Sequence, residues 1–595
     1  MRMRAATILP ATHDRGRRRR RELALVRRRL AGVCVLTAMV AAMAPPAVET
    51  TPARAARIED RRIEAAVDGL FAPWQRPGSP GCSVGVSRGG ATVLERGYGQ
   101  ASLELGVPIT PQSVFHVASV SKQFTAMSIL LLARDGRLSI DDDVRRHLPE
   151  WKGPPGVTIR HLLTHTGGLR DAFLLIELAA PDTSRPVQDQ LLALLAAQRG
   201  LSEAPGRRYF YNNGGYLLLA EIVKRVSGQP LRAFADARIF RPLGMRQSHV
   251  HDDVAEIVPG LATGYTRGAD GVLRVARQPA GVVGNAGLFT TVGDLLRWER
   301  NFAAPTVGDA SVVASMQTPP TLPEGEATVY GFGLQMERPG GRRTVGHGGG
   351  DPGASAYVVR YPDDDLAVAV LCNLDEIDSI ALARGVADLY LGVATGPPDA
   401  AAAETAAVPM SPADLAADEG LYRDPTDETL LRIFVRDGAL HGSPGAGADG
   451  GWAIVPIGAN RFRIPTTTIT LEFEAGAGGA RTLRIVGERP TPAVLERVAS
   501  YTPSAADLAG LAGDYRSDEL STTYALRVRE GALVADVPGR ASIALQPIRP
   551  DTFAGSLVGT ITFTRDRDGH AASFTVHAYA ARGLRFERVR QAQDR

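Results

Sequence analysis

The sequence places a serine and a lysine one helical turn apart inside an apolar run. Ser119 and Lys122 lie in HVASVSKQFTAMSILLLARDG, residues 116 to 136, and the chain has two other lysines, Lys152 and Lys224. A serine hydroxyl needs a base before it can act as a nucleophile. Lysine can be that base when burial lowers its pKa, whereas the pKa of arginine stays above about 12. The pair therefore indicates nucleophilic catalysis, with Ser119 as nucleophile and Lys122 as proton acceptor.

Two later stretches carry side chains that fit the same chemistry. FYNNGGYLLLAEIVKRVSG, residues 210 to 228, places Tyr211 and Asn213 just before a second apolar helix. GHGGGDPGASAYVVRY, residues 346 to 361, is predicted to begin at a strand end. The glycines after His347 would let a substrate approach the backbone closely. Taken alone, these stretches are more typical of a core tyrosine and of a glycine-rich turn than of a catalytic site.

In this order, Ser-Val-Ser-Lys, Tyr-Asn-Asn and His-Gly-Gly resemble the three motifs of the penicillin-recognising serine hydrolases, in their class C-like branch. That group includes class C β-lactamases, D,D-carboxypeptidases, D-aminopeptidases and related esterases. The resemblance covers about residues 60 to 392. Further matching stretches are PGCSVGVSRGG (80–90), TIRHLLTHTGGLRD (158–171), FRPLGM (240–245) and GNAGLFTTVGDLLRW (284–298).

The resemblance implies a role for each motif residue. Ser119 would be acylated, Lys122 would accept its proton, and Tyr211 would share proton transfer to the leaving group. Asn213 would bind both Lys122 and the substrate amide. No metal ion and no cofactor is expected in this chemistry.

The His-Gly-Gly motif would complete the substrate-binding site. The resemblance assigns substrate binding to His347, Gly349 and Gly350, with the backbone N–H groups of Gly350 and Ser119 forming the oxyanion hole. His347 stands where class C β-lactamases carry a lysine. A neutral imidazole is a poorer anchor for a substrate carboxylate, so efficient β-lactam turnover is not expected.

The elements that must position these residues follow from hydrophobic patterning. The apolar run from Ser119 to Arg134 predicts a buried helix, and the pattern stays mainly helical to about residue 302. Ile58 to Phe71 reads as an amphipathic helix. Alternating stretches predict strands, with a hairpin at Gly89-Gly90: CSVGVSR (82–88), ATVLERGYG (91–99), RRTVGH (342–347), ASAYVVRY (354–361) and LAVAVLCN (366–373). We expect an open sheet made from both ends of the domain.

The last third of the chain repeats itself. GLYR at 420–423 recurs as GDYR at 513–516, and VRDGAL at 435–440 recurs as VREGAL at 528–533. Both copies read as short alternating strands, which predicts two tandem antiparallel β-barrel-like domains. The predicted fold is therefore an α/β (α+β) serine β-lactamase-like domain with an antiparallel sheet and a helical region, followed by two barrels. D-aminopeptidase relatives carry two lipocalin-like domains in this place, so we expect the barrels to narrow the cleft, through turns at 443–451 and 538–543.

The predicted domain boundaries are a signal peptide at 1–44, the hydrolase domain at 57–392, a low-complexity linker at 393–410 and β domains at 411–500 and 501–595. A basic segment followed by the uncharged run LAGVCVLTAMVAAMA (30–44) is typical of a signal peptide. We therefore expect export to the periplasm or the cell exterior, with an uncleaved membrane anchor as the alternative.

Charge excludes nucleic-acid binding once the leader is set aside. Residues 1 to 44 contain 11 Arg against Asp14 and Glu22, a net charge of +9, and the whole chain carries +3, which leaves −6 for the remainder. A nucleic-acid-binding protein needs a basic surface. The expected partners are instead small-molecule or peptide substrates, with peptidoglycan fragments among the candidates.

The two cysteines outside the leader, Cys82 and Cys372, each lie in a predicted strand. We expect two buried free thiols, with a disulfide as the alternative, because sequence alone does not show that they meet.

Several histidines and acids could suggest metal sites. His161 and His165 lack the Glu of a His-Glu-x-x-His zinc motif. His249, His251, Asp252 and Asp253 form a local cluster, but a solvated polar loop is the favoured interpretation. No metal site is predicted.

The leading hypothesis is an exported serine hydrolase that forms an acyl-enzyme on Ser119 and acts on D-amino-acid peptides, amides or esters. A carboxylesterase of the same fold and a non-catalytic β-lactam or peptidoglycan sensor are the alternatives. A third is an α/β-hydrolase that uses Ser83 in the Gly-x-Ser-x-Gly stretch GCSVG, although that motif needs a strand, a sharp turn and a helix.

Overall fold

The computed structural model describes most of the chain from residue 51 onward. The described ranges are 51–179, 187–268, 270–276, 281–323, 327–393, 410–426, 428–446, 451–464, 469–475, 481–486 and 492–589. The predicted signal peptide and most of the predicted linker lie outside them, so both stay predictions. In the described ranges, no helix has the length and apolar character needed to cross a membrane.

A six-stranded antiparallel sheet joins the two ends of the first domain. Residues from both ends pair directly, since Cys82–Arg88 lies between Ala91–Tyr98 and Leu366–Cys372. In spatial order the strands are Gln335–Glu337, Thr344–Asp351, Ala354–Tyr361, Leu366–Cys372, Cys82–Arg88 and Ala91–Tyr98. The predicted open sheet is confirmed. So is the hairpin, whose Gly89 and Gly90 have φ values of 58° and 72° that glycine adopts without a Cβ penalty.

The expectation of free thiols is wrong. Cys82 and Cys372 occupy directly opposed positions on neighbouring strands, and their sulfurs form a disulfide across 290 residues of sequence. Sequence patterning placed each cysteine on a strand. Only the pairing of the domain's first strand with its last long strand shows that the two positions meet.

The inserted region and the flanks of the sheet are helical. The helices of this domain are Thr51–Phe71, Lys122–Arg134, Ile159–Leu163, Ala172–Ala179, Val187–Ala197, Asn213–Ser227, Leu231–Ala235, Arg241–Leu243, Val292–Ala303, Ala310–Met316 and Ser379–Leu391, with shorter turns at Ala72–Trp74, Ala118–Ser121, Val144–Arg146, Asp236–Phe240 and Pro339–Gly341. The predicted helix from Ile58 to Phe71 is present and begins earlier, at Thr51.

Small sheets connect the helical region to the large sheet. They are the pair Gln100–Ser102 and Val107–Pro108, the triplet Phe115–His116, Leu288–Thr290 and His249–Val250 in spatial order, and the pair Tyr265–Arg267 and Leu273–Val275. The triplet matters for function, because Phe115–His116 leads directly into the turn that carries Ser119.

The repeated sequence forms two closed eight-stranded antiparallel barrels, as predicted. Helix Pro412–Asp418 precedes the first barrel, whose strands are Gly420–Arg423, Leu430–Arg436, Ala439–Pro444, Trp452–Gly458, Arg461–Arg463, Thr470–Ala475, Arg481–Val486 and Ala493–Arg497. Helix Ala505–Leu511 precedes the second, whose strands are Gly513–Ser517, Thr522–Arg529, Ala532–Asp536, Ile543–Arg549, Thr552–Gly555, Gly559–Arg565, Ala571–Ala578 and Ala581–Arg588.

The second barrel packs on the hydrolase domain. Its apolar interior is continuous with the core of that domain, whereas the first barrel has a core cluster of its own. Arg170 reaches the second barrel, where Glu519 Oε2 accepts from its Nη1 at 2.6 Å. The Tyr524 hydroxyl donates to the Leu178 carbonyl at 2.7 Å. Through these contacts the second barrel supports the helical region of the hydrolase domain.

Candidate active site

Ser119 lies in a tight turn between a short strand and the long buried helix. We predicted that the helix would begin at Ser119. Instead, a 3₁₀ turn spans Ala118–Ser121 and the α-helix Lys122–Arg134 follows. Ala118 has φ 43°, a left-handed conformation that costs a non-glycine residue roughly 1–2 kcal/mol. The Ser121 hydroxyl fixes the turn, because it donates to the Ala118 carbonyl at 2.5 Å and accepts from Leu288 N at 2.9 Å. The turn leaves Ser119 half-buried.

Lys122 has no solvent exposure, and its ammonium is surrounded by uncharged acceptors. Nζ donates to Ser119 Oγ at 2.9 Å, to Asn213 Oδ1 at 2.9 Å and to the Asn285 carbonyl at 2.8 Å. The Tyr211 ring centroid lies 4.8 Å from Nζ. The predicted contacts of Lys122 with Ser119 and Asn213 are therefore present in the structure.

Burial lowers the pKa of Lys122 to about 7, although the negative charges of Asp351 and Asp171 oppose this shift. Removing a charged ammonium from water is costly, and neutral acceptors compensate only part of that cost. A large fraction of Lys122 is therefore unprotonated near pH 7. In that state the hydrogen bond to Ser119 reverses, so that Oγ–H donates to Nζ while Asn213 and Asn285 keep the other two protons.

Tyr211 lies next to Ser119 and keeps its proton. Its hydroxyl is hydrogen-bonded to the Ser119 side chain, and burial raises the pKa of Tyr211 above its usual value. A protonated phenol beside Ser119 Oγ can donate a hydrogen bond and relay a proton. This arrangement suits the predicted transfer to a leaving group.

Asn213 is held by the start of a helix. Asn213–Ser227 begins there, and the Asn212 side chain caps it by accepting from Gly215 N at 3.0 Å. Asn212 is itself buried and donates from Nδ2 to the Leu169 carbonyl at 2.9 Å. The cap thus fixes the position of the neighbouring amide that binds Lys122.

His347 lies in the middle of a strand, not at its end. Strand Thr344–Asp351 continues through the glycines, and the His347 side chain is buried. Nδ1 lies 2.5 Å from the Gly348 carbonyl, so it carries the proton, and Nε2 accepts from the Tyr330 hydroxyl at 2.8 Å. Burial lowers the pKa of His347 to about 3. His347 is therefore neutral, with both nitrogens engaged within the protein, and its predicted contact with substrate stays a prediction.

The glycines after His347 lie beside the turn that carries Ser119. A Cβ on Gly349 would lie 2.2 Å from the Val117 carbonyl oxygen and 3.1 Å from Ser119 N, so a side chain there would collide with the turn. Gly350 is exposed, and nothing lies within 4 Å of the position of its Cβ. The strand thus comes close to Ser119 N at Gly349 and opens at Gly350, which agrees with the predicted oxyanion hole without testing it.

The sequence did not reveal the place of four residues that contact the predicted site residues or act on them. Asn285 supplies a carbonyl to Lys122, Tyr330 fixes His347, and Asp351 acts on Lys122 through its charge. His165 is buried with its ring centroid 4.3 Å from that of Tyr211. Asn285 and His165 lie in stretches quoted for the family resemblance, and Asp351 directly follows Gly350. The signal for Tyr330 was absent, because it lies outside every motif.

The alternative nucleophile and the His161–His165 metal pair lack the required geometry. Ser83 is buried inside strand Cys82–Arg88, and its hydroxyl donates to the Arg96 carbonyl at 3.3 Å. No strand–turn–helix elbow forms there. His161 Nδ1 accepts from Thr158 N at 3.2 Å in a helix cap, while His165 Nδ1 accepts from Asn212 N at 3.1 Å.

Among the described residues, a turn outside the two predicted segments also lies near the cleft. Arg540, in the predicted segment 538–543, donates to the Glu177 carbonyl at 3.1 Å. The segment 443–451 lies partly outside the described residues. A third turn, between the last two strands of the second barrel, reaches closer to Tyr211. Ala580 O accepts from Asp171 N at 2.7 Å, and the Tyr579 and Phe210 ring centroids lie 5.6 Å apart.

The similarity to known proteins extends beyond the domain that carries the site. Residues 60–391 match the family described as beta-lactamase. The chain is 29% identical over 466 residues to a D-aminopeptidase of Gluconobacter oxydans (strain 621H), covering 77% of this chain and 83% of that protein. It is 26% identical over 529 residues to a D-aminopeptidase of Brucella anthropi, covering 86% and 95%.

Two further comparisons concern the penicillin-binding proteins. Penicillin-binding protein 4* of Bacillus subtilis (strain 168) is 31% identical over 309 residues, covering 49% of this chain and 68% of that protein. The structure of the octameric penicillin-binding protein homologue from Pyrococcus abyssi matches with a TM-score of 0.52 at 24% identity, covering 73% of this chain and 99% of that one. This last likeness concerns the fold alone.

Proposed function

Because the chain belongs to the beta-lactamase family of serine hydrolases, we propose that its acyl-enzyme forms on Ser119 and that its substrates are peptides, amides or esters of D-amino acids. Similarity to D-aminopeptidases over 77% and 86% of the chain supports this substrate class, since it includes the barrels as well as the hydrolase domain.

The site geometry supports one sequence of proton transfers. Neutral Lys122 Nζ accepts the proton of Ser119 Oγ, which attacks the substrate carbonyl and forms the new C–O bond. The Ser119 N–H and the Gly350 N–H bind the developing oxyanion. Tyr211 then donates its proton to the leaving nitrogen or oxygen and is reprotonated from Lys122 as the bond to the leaving group breaks. Water hydrolyses the ester on Ser119, and Lys122 is again neutral at the end.

The negative charges near Lys122 are the observation that supports a substrate with a free amine. The charges that act on Lys122 are the carboxylates Asp351 and Asp171, and His347 is neutral. Asp171 is buried and accepts from Phe173 N and Leu174 N as a helix cap. The Asp351 side chain is 25% exposed, and its Oδ2 lies 2.7 Å from His116 Nε2. The exposed part of the Asp351 carboxylate can attract a cation that enters the cleft. A free α-ammonium group fits this field better than the carboxylate of a penicillin or of a D-Ala-D-Ala terminus.

A substrate panel tests the proposal. We expect D-alanine p-nitroanilide to be cleaved with at least about tenfold higher kcat/KM than its N-acetyl derivative, its L-enantiomer or a chromogenic cephalosporin. Asp351→Asn should raise KM for the free amine and leave KM for the acetylated compound within about twofold. Equal KM changes for both compounds would show that Asp351 does not recognise the amine. A preference for the cephalosporin would indicate a β-lactamase, and a preference for a neutral ester would indicate an esterase.

Labelling separates the remaining alternatives. A fluorophosphonate should form a covalent adduct on Ser119, as read by peptide mass spectrometry, and no adduct should form in Ser119→Ala. An adduct on Ser83 would indicate an α/β-hydrolase mechanism. A stable Ser119 adduct without turnover of any compound in the panel would indicate a sensor.

We also propose export. The basic leader and apolar run at 30–44 support it, and so does the Cys82–Cys372 disulfide, because disulfides persist mainly in oxidising compartments. Expression in a bacterial host with fractionation, followed by N-terminal mass analysis of the secreted protein, tests this. A cytoplasmic protein that retains residues 1–44 would contradict it.

A further inference from the structure

Two histidines project from one short strand towards a carboxylate. His249 lies in strand His249–Val250 and His251 follows it, and side chains two residues apart on a strand share a face. His249 Nε2 and His251 Nδ1 are buried and have no hydrogen-bond partner. Glu256 Oε2 lies 3.8 Å from the first nitrogen and 3.5 Å from the second. Buried polar atoms are usually hydrogen-bonded, so two such nitrogens facing one carboxylate oxygen require an explanation.

The three side chains are held in place by their neighbours. Arg232 donates to both Glu256 oxygens, at 2.7 Å and 2.5 Å, and also to Asp252 Oδ1 at 3.1 Å. The Phe289 ring contacts both imidazoles, with centroid distances of 5.7 Å to His249 and 4.5 Å to His251. Hydrogen bonds to a ligating carboxylate and packing around imidazole rings are features that orient metal ligands. With Arg232 positive and both carboxylates negative, the cluster keeps one negative charge.

We propose that His249, His251 and Glu256 bind one Zn²⁺ ion. The three ligand atoms lie within 4.8 Å of one another. In a tetrahedral site with bonds of about 2.0–2.2 Å, ligand atoms are roughly 3.3–3.5 Å apart, so small side-chain rotations close the site. Two imidazoles and one carboxylate are a donor set that suits Zn²⁺ and is poor for Mg²⁺, which prefers oxygen ligands. In the sequence, Asp252 and Asp253 follow the histidines and a solvated polar loop was the favoured interpretation, whereas the structure brings Glu256 to the two imidazoles.

A cavity borders two of the three proposed ligands. His251, Glu256 and Phe289 line a cavity of about 300 Å³. Three protein ligands with an accessible fourth position leave room for a water molecule or a small anionic ligand on the ion. Strand Leu288–Thr290 pairs with both His249–Val250 and Phe115–His116. It therefore lies between the cluster and the strand that precedes the turn carrying Ser119. The ion would therefore brace this three-stranded sheet at the strand His249–Val250.

Metal titration of the purified full-length protein tests the site. After chelator treatment, we expect one equivalent of Zn²⁺ to bind in competition with a chromophoric chelator, and Mg²⁺ not to bind at the same concentration. Co²⁺ should give the intense visible absorption of a tetrahedral site. Zn²⁺ should also raise the melting temperature, because a ligand that binds the folded state alone stabilises it.

Ligand variants locate the ion. His249→Ala, His251→Ala and Glu256→Gln should each weaken Zn²⁺ binding at least about tenfold and abolish the Zn²⁺-dependent rise in melting temperature. His570→Ala removes a histidine that is 73% exposed in the second barrel, and it should bind Zn²⁺ like the wild type. Ser119→Ala should also bind normally, since the proposed ion does not touch the hydrolase site.

Two results would overturn the proposal. One is the lack of saturable Zn²⁺ binding at one equivalent in the wild type. The other is unchanged Zn²⁺ affinity in His249→Ala and His251→Ala variants whose metal-free melting shows them to be folded. If a single alanine variant does not fold, His251→Gln keeps the bulk of the side chain, and the same affinity comparison applies to it.

Discussion

Lys122 and Arg170 are both buried cations, and their surroundings are opposite. Lys122 donates to three uncharged oxygens and lies beside the Tyr211 ring. Arg170 donates to Glu519, to Gln198 Oε1 and to the carbonyls of Arg582 and Gly583. A carboxylate keeps the guanidinium charge in place, whereas uncharged acceptors let burial lower the pKa of the lysine. One buried cation is thus suited to giving up a proton, and the other to attaching the second barrel.

The largest effect should come from exchanging the cation in the cleft. Lys122→Arg keeps a positive charge, but its guanidinium cannot become a base, so kcat should fall by at least about 10³-fold. Lys224→Arg is the matched control, because Lys224 is 60% exposed and should keep wild-type activity. Steady-state kinetics on D-alanine p-nitroanilide measures both. More than about a tenth of wild-type activity in Lys122→Arg would refute the role of Lys122 as the base.

Where the second barrel contacts the hydrolase domain, the stability of the protein should depend on the carboxylate of Glu519. Glu519→Gln leaves the Arg170 charge buried with neutral acceptors alone, so the free energy of unfolding should fall by about 3 kcal/mol. Asp518→Asn is its neighbouring control, since that side chain is 63% exposed and its loss should change stability by less than about 0.5 kcal/mol. Urea unfolding compares the two variants. Equal stabilities would mean that the second barrel is held by its apolar contacts without the ion pair.

The pH dependence of activity distinguishes a removable proton from a permanent charge. The folded-state pKa of Lys122 is about 7, so the active, unprotonated form is lost as pH falls through 7. On a neutral ester, kcat/KM should fall about tenfold per pH unit below that value and level off above it. The ester avoids titration of a substrate amine. A flat profile from pH 5 to 9 would contradict the assignment of Lys122 as the base.

The smallest effect should come from the barrel turn near the cleft. Tyr579 contacts Phe210, which precedes Tyr211, and is 49% exposed. Tyr579→Ala should raise kcat/KM for bulky D-amino-acid anilides relative to D-alanine p-nitroanilide by a few-fold, if the turn limits substrate size. Tyr501→Ala, in the segment between the barrels, is the control. An identical change for small and bulky substrates would leave the second barrel a purely structural role.

Comparison of the two barrels shows how far a repeat in the sequence can be followed. Ser411 and Ser504 cap equivalent helices, and the hydroxyls of Tyr422 and Tyr515 donate to equivalent carbonyls at 2.9 Å. The repeat therefore predicted two barrels of one architecture. Glu519 and Tyr524, which contact the hydrolase domain, correspond to Thr426 and Leu431 in the first copy. Docking depends on residues that the repeat does not share, so the repeat could not predict which barrel docks.

In the active site, too, some contacts could be predicted from the sequence and others could not. Motif order placed Ser119, Lys122, Tyr211 and Asn213 together, and the structure brings them into contact. His347 was expected at a strand end as a substrate-binding residue, but Tyr330 and the Gly348 carbonyl occupy its nitrogens. Tyr330 belongs to no motif, and a long-range contact of this kind leaves no periodic or local signal in the sequence.

The sequence by itself determined the pairing of Ser119 with Lys122, the sheet formed from both ends of the domain, and the two barrels. These features depend on local spacing, alternation of apolar residues and internal repetition, which are properties of neighbouring residues along the chain. Only the tertiary structure decided the Cys82–Cys372 bridge, the contact of His347 with Tyr330, the Arg170–Glu519 contact and the meeting of His249 and His251 with Glu256. Each of these depends on which surfaces meet and how much water they exclude. Burial and pairing then set the charge state of every group involved.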